Sequence, residues 1–241
     1  MFPYLVKYQQ REHVRRFFKT GTVQIGTVRA YDQDTFGAKV GDDDEGVSWQ
    51  SIDDGNIDAH LNAGYPELQG FGPGDVGNVI RNTNISHNYA IYPTSQCLHK
   101  ELCLDFKAGY DAAIIIFEPC VFFHCLSNAF SASALTEGVE LRHVRPVVYR
   151  SRDIGPGEFL QEEFIKDPRY QRQSEVRASW MIGQPQKNFY RFDAPSARWR
   201  CLPMLIDDMP DYPIGSDQEV IDSQIHTAIK SAIALSGSEE W

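Results

Sequence analysis

The chain has 241 residues, of which 42% are hydrophobic, 23% charged and 12% aromatic, and its formal net charge is −10. That is enough chain for one substantial core and too apolar a composition for intrinsic disorder. The charge also excludes a surface that grips a long phosphate backbone as a whole. Arg142, Arg145, Arg150 and Arg152 lie close in sequence and read as one solvated strand with its turn. The five cysteines are an odd set with no CxxC pair and no zinc-finger histidine spacing, so neither a disulfide framework nor a zinc site is expected. Cys97, Cys103, Cys120 and Cys125 sit among apolar neighbours and read as buried thiols. The start, MFPYLVKYQQ, lacks the basic-then-apolar layout of a signal peptide, and the apolar runs are too short to cross a bilayer. A reducing cytoplasm is the expected setting.

Residues 4–8 form a short β-like run. QREHVRRFFKTG follows, with Val14, Phe17 and Phe18 on one helical face and Gly21 as the stop. Residues 22–29, TVQIGTVR, return as a strand, so the chain opens strand, helix, strand. The next stretch is acidic and punctuated by glycine. Within it residues 47–52 are a weak strand, and Asp53, Asp54 and Gly55 are suited to a hairpin turn. Short β-like pieces recur over 79–92, and DAAIIIFEP at 111–119 is a continuous apolar run suited to the middle of a sheet. Pro119 opens a helix through CVFFHCLSNAF. A strand near 139–149, a short helix at 159–165, the alternating strand from Glu175 to Ile182 and strands near 188–192 and 200–206 complete the body. From Ser216 a capping box with Glu219 and apolar residues at helical spacing predict a C-terminal helix over 216–235, in a segment 216–241 packed on the same domain. Many strands alternating irregularly with few helices predict an α+β domain over 1–215 with a mainly antiparallel sheet and flanking helices.

Motif chemistry is sparse. Asp42, Asp43, Asp44 and Glu45 are the oxygen donors a hard cation needs, but EF-hand spacing is lacking and a solvated turn is the better reading. The seven histidines are scattered, and GxSxG, P-loop and GxGxxG patterns do not occur. Gln173-Ser174-Glu175 remains, at the head of the alternating strand. A carboxylate two residues from an amide suits glycosidic cleavage: the carboxylate stabilises an oxocarbenium-like sugar and the amide orients the acceptor. The plain alternative pairs Glu175 with Arg177 on the wet face of the strand.

The order of these segments carries a resemblance over about residues 4–182. YLVKYQQREHVRRFFKTGTVQIGTVRAYDQDTFGAKVGDDDEG, GYDAAIIIFEPCVFF and FIKDPRYQRQSEVRASW resemble successive segments of a bacterial domain family. That family is similar in layout to the ADP-ribosyltransferase-like proteins of toxin and anti-phage systems. The resemblance implies a split sheet with NAD, as substrate, in the cleft between its halves. By position it implies catalytic roles for Glu175 and Gln173. Lys7 and Tyr8 or Arg29 would take the first-strand role, Ser86 the middle-strand role, and Tyr31 would be a ring for nicotinamide stacking. Departures from the family pattern are Lys7-Tyr8 where many such transferases carry His or Arg, and NISHN in place of a Ser-Thr-Ser run. The acceptor, a protein side chain or a nucleic-acid base, stays open, as do transfer against hydrolysis, a regulatory partner protein and a contact between copies through the C-terminal helix. The competing class is a non-catalytic interaction module using the aromatic-rich face and the acidic loop.

Overall fold

The computed structural model describes residues 2–31, 47–52, 56–62, 79–84, 88–106, 109–133, 135–151, 161–183, 187–211 and 223. The acidic run 42–45, the turn 53–55, Ser86 and, apart from Ser223, the C-terminal helix expected over 216–235 lie outside those residues. Arg29 is placed in a backbone turn only.

The chain opens as expected, with β1 (Leu5–Gln9), α1 (Arg11–Thr20) and β2 (Thr22–Thr27). α1 buries Val14 and Phe17, and Gly21 ends it at φ 82° with its N–H donating to Phe17 O at 2.7 Å. A side chain would be strained at that φ, and its Cβ would also lie 2.6 Å from Pro195 N. The remaining elements are β3 (Val47–Ile52), α2 (Ile57–Asn62), β4 (Val79–Asn84), β5 (Tyr89–Ser95), α3 (Lys100–Phe106), β6 (Ala112–Ile116) and α4 (Pro119–Ala132). They continue with β7 (Glu140–Pro146), β8 (Val148–Tyr149), β9 (Ile165–Lys166), β10 (Glu175–Met181), β11 (Phe189–Asp193) and β12 (Cys201–Leu205).

An eight-stranded antiparallel sheet runs β11-β2-β5-β1-β6-β12, with β10 beside β5 and β7 beside β10. The fold is therefore α+β. One face packs against α1 and α4 through Leu5, Tyr92, Ile114, Phe122, Phe123, Phe130 and Trp180. The other carries a second cluster that includes Val6, Tyr8, Leu102, Ile115 and Met204. Each fully buried large apolar side chain contributes about 1.5–3 kcal/mol of transfer free energy.

The sheet is split at β5. β10 pairs with β5 along its whole length, whereas the opposite edge of β5 is shared by two strands. β1 meets it at Val6↔Ser95, and β2 meets it at Gly26↔Ile91 and Thr27↔Ala90. Pro93 lies between these contacts. It has no N–H to give a ladder, and its carbonyl accepts from Lys7 Nζ at 2.7 Å instead of from a strand. From this gap the β1-β6-β12 wing and the β2-β11 wing diverge.

Several local expectations are corrected. β3 pairs with the distant β4 rather than with a strand after Gly55, and residues 57–62 are helical. Within the helix expected at 159–165, Glu162–Phe164 is one 3-10 turn and Ile165 already begins β9. α3 was not expected, because KELCLDF is one short amphipathic piece without a cap pattern. Cys103 is buried, but Cys120 is exposed at the first turn of α4, where the helix turns its apolar side chains inward; Cys97 and Cys125 are intermediate, and the cysteines are free thiols.

Candidate functional site at the split in the sheet

β10 is buried on both faces, from Glu175 through Trp180. Val176, Ala178 and Trp180 enter the main core, while Glu175, Arg177 and Ser179 point to the opposite side and are also buried. The expected wet face therefore does not exist. Glu175 does pair with Arg177, but in a protected pocket: Arg177 Nε donates to Glu175 Oε1 at 2.5 Å, and the side chains are 1% and 6% exposed.

The covering layer comes from 162–173. Asp167 caps a 3-10 helix over Pro168–Gln173 by accepting from Arg169 N, and Ser174 ends it in the left-handed region at φ 43°. Gln173 thus belongs to a helical turn and not to the strand. The reversal lets Gln173 and Glu175 meet on one ammonium: Lys166 Nζ donates to Gln173 Oε1 at 2.9 Å and to Glu175 Oε2 at 2.7 Å. The backbone is pinned at the same place. Ser95 Oγ donates to Gln173 O at 2.8 Å, and Glu175 N donates to the Tyr149 hydroxyl at 2.7 Å. Arg177 Nη1 donates to Glu163 O at 2.6 Å, which fixes the guanidinium from the far side.

Lys166, Gln173, Glu175 and Arg177 line an inner chamber of about 60 Å³ together with Lys7, Tyr8, Tyr31 and Tyr110. Lys7, Tyr31 and Tyr110 also line an outer chamber of about 360 Å³, which carries Gln9, His13, Arg16, Gln24 and Arg191 from β1, α1, β2 and β11. The three shared residues make the chambers neighbours across the split between β1 and β2.

The charge states follow from this enclosure. Burial alone raises the Glu175 carboxyl, but the Arg177 guanidinium and then the Lys166 ammonium outweigh it and hold the group at about 2. Glu175 is a fixed anion. Burial pushes the Lys7 ammonium down to about 8; Glu175 opposes that shift and Lys166 adds to it. Burial raises the Tyr31 and Tyr110 phenols, so both stay neutral near physiological pH. Among the described charged side chains lining the inner chamber, three cations (Lys7, Lys166, Arg177) face one carboxylate.

Of the residues singled out in sequence, Glu175, Gln173, Lys7, Tyr8 and Tyr31 line this one chamber. The Tyr8 hydroxyl has a structural role, donating to Cys97 O at 2.7 Å and accepting from His99 N at 2.8 Å. Tyr31 packs edge-on to Phe189 at 6.1 Å and rests on Gly26, where an added Cβ would lie 2.7 Å from its ring. Ser86 lies outside the described residues, and no side-chain position is described for Arg29. Sequence reasoning missed Lys166, Arg177 and Tyr110 as site residues. All three stood in segments that carry the resemblance, as the Lys of F-x-K, the Arg of E-x-R and the Tyr of Y-D-A.

No protein-family model matches the chain, and no curated protein or solved structure shows a match to it.

Proposed function

We propose that the split binds NAD and that the protein transfers its ADP-ribosyl group to an acceptor, as a toxin or anti-phage defence effector. The observation that carries this reading is convergence: Glu175, Gln173, Lys7 and Tyr31, from separate parts of the chain, line one chamber at a break in the sheet. Each Glu175 oxygen accepts one cationic donor and keeps a second lone pair for a ribose hydroxyl. In the step, the bond between nicotinamide and ribose C1′ breaks and nicotinamide leaves with the electron pair. An acceptor nucleophile then bonds to C1′ and gives up its proton. Glu175 supplies the negative charge beside the developing oxocarbenium, Gln173 orients the acceptor, and Lys7 attracts the phosphates.

A second reading is favoured by the double cation clamp on Glu175. A carboxylate already matched by Lys166 and Arg177 offers little net negative potential to a sugar cation, which favours nucleotide binding without turnover. Isothermal titration of NAD into wild type, Lys7→Gln and Tyr31→Ala, with nicotinamide release measured in parallel, separates the readings. Binding with release supports transfer or hydrolysis, and binding without release supports the binding module. No binding to folded protein sinks both.

A further inference from the structure

The inner chamber has a charge pattern that the NAD reading does not require. At about 60 Å³ it has room for a compact polar group such as a phosphoryl. Lys166 enters from β9 and Lys7 from β1. Among the described residues Lys7 Nζ has one hydrogen-bond acceptor, Pro93 O, and Lys166 Nζ has two, Gln173 Oε1 and Glu175 Oε2. An ammonium carries three donors, so N–H groups of both lysines are left for whatever occupies the chamber they line. Both ammoniums also rest on rings, Lys7 over Tyr92 at 4.6 Å and Lys166 over Tyr170 at 4.9 Å, which holds them in place without neutralising them.

We propose that the inner chamber is a subsite for a terminal phosphoryl group, bound between the Lys7 and Lys166 ammoniums, with Glu175 and Gln173 positioning Lys166. The surplus of two positive charges among the described lining side chains matches a phosphomonoester dianion better than a carboxylate monoanion. The wider outer chamber, with Arg16, Arg191 and His13 on its walls, takes the rest of the ligand. The assignment rests on the split being a ligand cleft, as proposed above, but needs no turnover and no nicotinamide.

Inorganic phosphate is the probe. It is titrated calorimetrically at neutral pH and constant ionic strength into the full chain, with acetate as the planar monoanion, and into Lys7→Gln and Lys166→Gln. The expected result is saturable phosphate binding, with acetate at least about tenfold weaker and each variant weakened at least about tenfold. Lys7→Gln leaves the Glu175 ion pairs intact, so it keeps the test decisive where Lys166→Gln fails to fold. Absence of saturable phosphate binding, equal binding of acetate, or undiminished binding in Lys7→Gln overturns the assignment. NAD binding without phosphate binding sinks this subsite alone, and phosphate binding without NAD binding sinks the NAD reading alone.

Discussion

Glu12 and Arg16 meet at 2.6 Å one turn apart on α1, with side chains 74% and 37% exposed. Glu175 and Arg177 meet at 2.5 Å on β10, with side chains 6% and 1% exposed. The two pairs have the same chemistry and nearly the same length, so distance says little about what either does. Water shares the charge of the first pair, whose contribution is small. The second pair has no such relief, and it persists because Lys166 and the Glu163 carbonyl complete the network. This costly arrangement lies directly across β5 from the gap between its β1 and β2 contacts, and that placement is what makes it the candidate site.

The contrast is sharpest if Glu175 is removed. Glu175→Ala leaves two buried cations without their carboxylate, and chemical denaturation is expected to show a loss on the order of 3–5 kcal/mol. Gly26→Ala comes next: its Cβ would fall 2.7 Å from the Tyr31 ring and 3.0 Å from Phe189. Overpacking there should cost about 1–3 kcal/mol and weaken ligand binding by displacing Tyr31, whereas unchanged affinity would remove Tyr31 from the site. Arg16→Ala should cost no more than about 0.5 kcal/mol, because its ion pair is exposed.

Acidity separates the pairs in another way. The folded Glu175 carboxyl at about 2 lies below its ordinary 4.5, so its stabilisation is complete above that ordinary value and is lost as pH falls toward 2. Urea midpoints followed through that window should fall more steeply in wild type than in Glu175→Gln. For Lys7 stability again rises with pH, but the contribution is a penalty and not a gain. A folded value of about 8 against an ordinary 10.5 means that the unfolded chain holds the proton longer, so its burial penalty is relieved as pH rises between those values. Sulfate, which keeps its charge, should bind more weakly above about pH 8 in wild type and without that step in Lys7→Gln. The other groups around Lys7 are Glu175 and Arg177 on β10, Lys166 on β9, Tyr31, Tyr92 and Tyr110, with His13, Arg16 and Arg191 in the outer chamber.

What was legible in the sequence was local. The β1-α1-β2 opening, the Gly21 stop, Pro119 at the first turn of α4 and the alternation of β10 each follow from a few neighbouring residues. The split was implied by a resemblance, but its physical cause, a proline whose carbonyl faces Lys7, needed the pairing of β5 with two strands far apart in sequence. The triplet was legible as residues and misread as geometry. Alternation assigned Gln173 to the strand, whereas the Asp167 cap and the left-handed Ser174 put it on a 3-10 turn. Lys166 reaches Glu175 across that turn, nine residues along the chain, which no strand or helix period encodes.

The central claim is that chemistry happens at Glu175, and nicotinamide release from NAD by wild type and Glu175→Gln tests it most directly. Gln keeps the shape and removes the charge, so a folded variant with release reduced at least about a hundredfold is the predicted result. Equal release by both proteins, or none from a wild type that binds NAD, contradicts it.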